Sequence, residues 1–391
     1  MMIKPFPKQL ALAVCVATAI PAHAATDIDA LQKQIKALQA AIQEIKSEQK
    51  SAVKSTQGGI IIGDTKVSVG GYIKGDLVHT TDGVNGSLNA LITPADTKKS
   101  DPNADNRTDL SARESRFWIK SSTEVAGKPF KTHLEADFYG SGGNEYVSNS
   151  YGLRLRHAYG VWGNVLVGQT WSTFMDVAAL GEINAFGQHA SPIFVRQGQV
   201  RYTHPYEGGN LMFALENGED GGDDDSAPDI VARANFDGDW GHASIGVLSR
   251  KMGGDSDRDW ENAVSLSAKL PTVGKDDIRL QYNYGALGRY MGLGQYLEGA
   301  VDGARDVWGA SIAYRHFWSD SLRSTFLYSK TEADDKDIAN LLDEAESIHI
   351  NLMWSPSPKL RYGIEYASWE LNSDGTESDF DALHLSARYI F

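Results

Sequence analysis

Cysteine is all but missing from this chain, and Cys15 is the only one. It lies in an opening segment with Lys4 and Lys8, an apolar run from Leu10 to Ile20, and the small-x-small site Ala22-His23-Ala24. That pattern reads as a secretory signal peptide over residues 1–24, with the mature chain starting at Ala25. Val14 is bulky where a lipoprotein signal wants a small residue, so Cys15 is not read as a lipid anchor. The exported chain then has no thiol to build a disulfide framework. Long apolar runs are also absent. After the signal, none approaches the roughly 20 residues of a spanning helix. Net basic charge is lacking as well: the formal charge is −14, and the signal holds two lysines and no acid, so the remainder is more acidic still. Such a balance excludes nucleic acid as a partner. No nucleophile-and-base motif and no metal-ligand spacing stands out, so neither enzyme chemistry, a cofactor nor a metal is read from the residues.

Residues 26–57 lack glycine and aromatics and abound in Gln, Lys, Ala and Glu. Ile28, Leu31, Ile35, Leu38, Ile42 and Ile45 recur at alternating spacings of three and four, the a/d seam of a coiled coil. So short a coiled coil is marginal alone, and its helices need partners held close by another part of the protein. Ile at a with Leu at d leans to two strands, whereas Ile45 at d pulls towards three. An amphipathic helix lying on its own domain is the other reading. The chain divides into a coiled-coil helix at 25–57, a linker at 58–65 and a β domain at 66–391.

From Lys66 the period changes from 3.5 to 2. Val67, Val69, Ile73 and Leu77 alternate with Ser68, Tyr72, Lys74 and Asp76, and the pattern repeats to a last strand at 380–391. Sixteen such segments are counted, including 113–123, 322–330, 346–355 and 359–370. Connections alternate in length: short at Glu124–Pro129, Gly163-Asn164, Glu207–Gly209, Gly238–Trp240, Pro271–Lys275, Trp318–Ser321 and Pro356–Pro358, mostly longer elsewhere, from Thr80–Ala112 to Leu371–Asp379. An even strand count with turns short on one side is what outer-membrane barrels show.

The two faces of these strands differ. One carries apolar rows such as Leu134, Ala136 and Phe138, or Ile348, Ile350, Leu352 and Trp354. Aromatics gather by the short turns (Phe130, Phe236, Trp240, Phe317, Trp318, Trp354, Tyr389, Phe391), as an interfacial belt does. The opposite face carries Lys74, Asp76, Glu114, His133, Glu135, Asp137, Arg250, Arg323, Glu365, Arg388 and more. A dry core of that composition is prohibitively costly, so a water-filled lumen is expected. With no water in the bilayer for backbone groups, a spanning sheet must close on itself.

The signal peptide, the coiled coil, the opening strand KVSVGGYIKGDLVH (Lys66–His79), RESRFWIKSS (Arg113–Ser122), VLVGQTWSTFMD (Val165–Asp176) and the terminal RYIF (Arg388–Phe391) together resemble the DcaP-like porins over nearly the whole mature chain. The resemblance implies a trimer of sixteen-stranded outer-membrane barrels. It further implies helices that associate in the periplasm and a lumen favouring anions such as dicarboxylates.

Ten residues are candidates for lining the pore and meeting solute: Arg116, Lys120, Arg154, Arg156, Arg196, Arg201, Arg233, Arg279, Arg315 and Arg361. A guanidinium stays charged and its planar fork matches a carboxylate. Pairing with Glu114, Glu135, Asp137 and Glu365 is the competing reading, which leaves little net field. The connection Ser172–Gly198 is long, poor in charge and rich in apolar residues, including Phe174, Met175, Leu180, Phe186 and Phe194. Exposed, it is an aggregation hazard. It is expected to fold into the barrel as a constriction, with Arg196 and His189 joining, or else to pack at a subunit interface. Acidic runs at Glu219–Asp225, Asp255–Asp259, Glu332–Asp337 and Asp374–Asp381 are expected largely in outer loops, and those at Glu219–Asp225 and Asp101–Asp109 as solvated loops bridged to lipopolysaccharide by divalent ions, or as Ca²⁺ chelators. The other functional readings are a general or cation-preferring porin, a barrel enzyme, and a tether whose coiled coil engages a periplasmic partner.

Overall fold

The computed structural model describes residues 58–81, 106–186, 189–218, 227–252, 259–297, 305–334, 341–373 and 375–391, with short stretches between 32 and 56. The signal segment, Ile28, Leu31 and Ile45 of the seam, and the acidic runs at 219–225 and 255–258 lie outside the described residues.

A small N-terminal unit precedes the barrel. Its described residues at 32–33, 35–40 and 42–43 are helical, and Ile35, Leu38 and Ile42 of the seam are exposed on them. The end of the stretch expected as helix and linker is instead a strand, Val53–Thr56, paired with a second, Gly59–Ile62. The β-branched run Ile60-Ile61-Ile62 favours extended backbone.

The barrel is a closed antiparallel sheet of sixteen strands. They are β1 (Thr65–Thr80), β2 (Arg107–Ser111 and Arg116–Val125, interrupted between), β3 (Lys128–Gly140), β4 (Gly152–Trp162), β5 (Val165–Trp171), β6 (Arg196–Tyr206), β7 (Gly209–Glu216) and β8 (Asp229–Gly238). The second half comprises β9 (Gly241–Met252), β10 (Asp259–Pro271), β11 (Asp277–Gly285), β12 (Val307–Phe317), β13 (Leu322–Ala333), β14 (Leu342–Ser357), β15 (Leu360–Ser373) and β16 (Thr376–Ile390). Each strand pairs with its sequence neighbour, and β16 returns to β1 in register from Ala382↔Thr80 to Ile390↔Tyr72. Closure leaves no unpaired edge, as hydrocarbon demands. At the seam the Phe391 amide donates to the Gly71 carbonyl (3.1 Å). A Cβ on Gly71 would come within 2.6 Å of the Phe391 ring and 2.4 Å of the Arg116 carbonyl oxygen, so only glycine lets these strands meet.

The outward rows are apolar and exposed: Leu153 and Leu155, Tyr282 and Tyr284, Ile350, Leu352 and Trp354, Tyr362, Ile364 and Tyr366, Leu383 and Leu385. Phe236, Trp240, Trp318, Trp354, Tyr389 and Phe391 are exposed beside the short turns. Those turns are tight. Gly163 and Gly208 sit at φ 58° and 81°, a region open to glycine without strain.

Two expectations need correction. Leu371–Asp379 is not a loop, because β15 and β16 run on until Ser373 pairs with Thr376. β14 likewise begins at Leu342 rather than 346. Outward positions there are Glu344, Glu346, Glu370, Asn372, Glu377 and Asp379. Above the apolar band the outer face meets water, so alternation disappears while the ladder continues. Second, much of the charged inner face is not open to water. Lys74, Asp76, Glu114, Asp137, Arg156, Arg250 and Glu365 are each less than a tenth exposed. Two inward-folded segments cover them: residues 172–195, and 286–297 with Leu287, Tyr290, Leu293 and Leu297 fully buried.

Candidate functional site: an arginine-lined lumen

The 172–195 segment leaves β5 and winds along the inner wall, touching successive strands. Phe174 lies against Gly246 of β9, and the Met175 carbonyl accepts from Arg233 of β8. Asp176 accepts from Ser267 of β10 (2.6 Å), and the Leu180 carbonyl accepts from Arg279 of β11. Glu182 reaches β12, β13 and β15 through Arg315, Arg323 and Arg361. The Asn184 amide donates to Glu365 of β15, and its carbonyl accepts from Lys74 of β1 (2.9 Å). Phe186 then sits 5.1–5.6 Å from the guanidiniums of Arg116, Arg154 and Arg156. The segment is thus an inward loop, as its apolar composition suggested. It returns along β13 and β14, where Ser191 bonds Ser329 (2.8 Å) and the Ala190 amide donates to Ser347 (3.0 Å). His189, expected in the constriction, is instead wholly buried against Ser329 (2.7 Å). Burial and the neighbouring His349 push its ring down to about 3, so it stays neutral.

The arginines fall into two groups. On β2–β6, Arg154 forks onto Asp137 (2.7 and 3.0 Å), and Arg156 bonds Glu135 (2.7 Å) and Asp137 (2.9 Å). Arg116 pairs with Glu135 at 3.3 Å. Arg196 has no carboxylate within ion-pair distance among the described residues and lies over Trp171 at 4.7 Å. The pairing reading therefore holds for Arg116, Arg154 and Arg156, with Glu135, Asp137 and, at 4.0 Å from Arg116, Glu114 as partners. It fails for Glu365, which bonds His349 (3.3 Å), Asn351 (3.1 Å) and the loop amide of Asn184.

The second group lies on β11–β16. Arg279 bonds Asp277 (2.8 Å), Arg315 bonds Asp277 and Glu182, and Arg323 and Arg361 bond Glu182. Burial alone would raise the Glu182 carboxyl, but the Arg323 hydrogen bond and the charges of Arg323 and Arg361, with Arg315, outweigh it and hold it at about 2. Arg388 stands directly opposite Arg361 on one side and Lys74 on the other. It shares the Tyr72 ring with Arg116 (5.1 and 4.8 Å), which joins the two groups. Four guanidiniums in this half meet two carboxylates, Glu182 and Asp277, and Arg388 adds a fifth that meets neither, so the local balance is positive.

The remaining candidates lie apart. Lys120 is exposed near the short-turn end, 5.7 Å from Trp118. Arg201 has no ion-pair partner among the described residues, and Arg233 holds the start of the inward loop. Arg323 and Arg388 were not among the ten candidates, although both share the inward parity that selected the others. What alternation does not carry is which inward residues the loop brings together.

A chain of rings lies among these charges: Trp171–Phe194 at 4.9 Å, Phe194–Phe186 at 5.9 Å and Phe186–Tyr139 at 5.2 Å. Guanidiniums stacked on rings keep their charge while burying their planes.

The outer membrane channel DcaP of Acinetobacter baumannii is 21% identical over 87% of this chain and 100% of its own, with a TM-score of 0.74. An anion-selective porin from Comamonas acidovorans (14% identity, 84% and 100% covered) gives 0.57. OmpT of Vibrio cholerae in a trimer form (12%, 84% and 99%) gives 0.54. Among curated proteins none matches. These likenesses are of fold. The DcaP outer membrane protein family matches residues 26–231 in sequence, more than half of the chain, and with the closed, apolar-walled barrel it identifies this chain as a member of that family, a porin-like protein of the outer membrane.

Proposed function

We propose that this barrel is a passive channel for small hydrophilic solutes, preferring anions and dicarboxylates foremost. The observation that carries this is the register across β15, β16 and β1, which sets Arg361, Arg388 and Lys74 side by side. Like charges directly opposite cost stability. Arg361 is paired with Glu182, and Lys74 with Asp76 and Glu114, but Arg388 has no carboxylate within ion-pair distance among the described residues, so its share of that cost is not offset by an ion pair. A passing anion offsets it, and neighbouring guanidiniums allow transfer from site to site, as conduction requires. The name of the Comamonas neighbour and the family resemblance support the same sign of selectivity.

Three further readings accompany it. Residues 1–24 serve as the export signal. The exposed seam residues Ile35, Leu38 and Ile42 serve helix association in the periplasm, and the trimer form of a neighbour favours three copies. No catalytic role is proposed. The direct test is Arg361→Ala combined with Arg388→Ala, read as reversal potential in a planar bilayer under a KCl gradient. Anion preference should fall markedly, by about half or more, because the local excess of positive charge over Glu182 and Asp277 drops from about three to about one. An unchanged reversal potential would exclude this row as the filter.

A further inference from the structure

We propose that Arg315, Arg323 and Arg361 form a carboxylate-binding subsite which the chain's own Glu182 occupies, and from which an incoming dicarboxylate displaces it. This rests on the anion-preferring reading above and adds how the solute is held and released.

The geometry is that of a recognition site. Glu182 Oε2 accepts from Arg315 Nη1 (3.1 Å) and Arg323 Nε (2.8 Å), while Oε1 accepts from Arg323 Nη2 and from Arg361 Nη1 (3.3 Å). Arg323 thus grips the carboxylate bidentately with the other two flanking it. Four N–H groups fill the roughly four lone-pair positions a carboxylate offers. Nothing in that pattern requires the carboxylate to belong to the protein.

The surroundings make exchange feasible. The Arg361 side chain is 32% exposed against 10% for Arg323, so the site is more open at Arg361 than at Arg323. The loop does not depend on the Glu182 side chain alone. Asn351 Nδ2 donates to the Glu182 carbonyl (2.8 Å), Arg279 holds the Leu180 carbonyl, and Glu365 accepts from the Asn184 amide. The Glu182 side chain can therefore swing out while its backbone stays. Exchange of one carboxylate for another leaves the charge at the site unchanged, so neither state is left with three bare guanidiniums. The physical consequence is kinetic. A vacant trio of guanidiniums would hold a dianion too long for passage, whereas an internal competitor weakens binding and shortens the stay.

Single-channel recording with succinate as the probe tests this. Glu182→Gln should lower the half-blocking concentration by about tenfold or more, the worth of one charge-assisted hydrogen bond, and lengthen the blocked intervals. Asp76→Asn also removes one inward carboxylate, but that group bonds Lys74 (3.0 Å) and His384 (2.7 Å) and no guanidinium, so no such subsite is vacated. It should shift the half-block by less than about threefold, the scale of a screened remote charge. Equal effects of the two variants, or none from Glu182→Gln, would overturn the proposal. Should Glu182→Gln fail to insert, Glu182→Asp keeps the charge yet is too short for all four contacts. Its block should tighten in the same direction, and an unaltered block would overturn the proposal. A wild-type reversal potential of cationic sign would instead defeat the underlying selectivity reading, which separates the two failures.

Discussion

Arg154 and Arg156 show how a single side chain's role depends on its partners. Both point inward, yet Asp137 and Glu135 neutralise them at 2.7–3.0 Å, so their loss is not the simple removal of two positive charges. Arg154→Ala with Arg156→Ala leaves Asp137 buried without either guanidinium and Glu135 with only Arg116 and the His133 ring. The expected outcome is a swing of the reversal potential towards cations. An accompanying loss of stability of about 3 kcal/mol or more is expected for an uncompensated buried charge, read as a lower midpoint of heat-induced mobility shift in detergent. An unaltered potential with unaltered stability would show that the pairs carry no weight in either property. Parity along each strand made these residues legible in the sequence, because alternation is local. Their pairing was legible only as one of two alternatives, since register between neighbouring strands decides which carboxylate each guanidinium meets. Arg388 and Arg323 show the same limit from the other side. Their inward position was visible, but Arg361↔Arg388 and the convergence on Glu182 are cross-strand and loop-to-wall facts.

At the scale of elements, the inward loop is held by polar groups at nearly every step, and Glu182 is its main ionic anchor. Its carboxyl is depressed to about 2 from an ordinary 4.5. A depressed acid contributes stability that is fully present above its ordinary value and is lost as pH falls through the lowered one. The anchor should therefore hold from neutrality down to about pH 4.5 and weaken progressively towards pH 2. The check is open-channel conductance and current noise between pH 7 and 2.5, compared with Glu182→Gln. The wild type should converge on the variant only below about pH 3, and convergence centred at pH 4 to 5 would mean that the arginines do not hold the carboxyl. The loop's fate was legible from composition, because an apolar connection on a membrane barrel must find cover. Its path was not. His189 looks like a lumen residue in sequence, but the return limb turns it into the wall against Ser329. The second inward segment, 286–297, went unread because alternating Gly, Leu and Tyr there resembles an ordinary outer loop.

For the whole molecule, the barrel follows from one conflict and its resolution. Strands with an apolar and a charged face cannot stack into a two-sheet core, and an open sheet in hydrocarbon leaves backbone groups unpaired. Closure through β16 and β1 answers both demands. Strand number and order were therefore readable, while strand ends were not wherever the ladder outlasts the apolar band, as at Glu370 to Asp379. Net charge was a poor guide to the interior, since an acidic chain keeps an arginine-rich half-lumen inside it. The most direct measurement is therefore a planar-bilayer recording of the purified wild-type protein under a KCl gradient. Openings that close in three equal steps, with a reversal potential of anionic sign, are the predicted result. A reversal potential at zero or of cationic sign would contradict the central claim that the row of Arg361, Arg388 and Lys74 governs what passes.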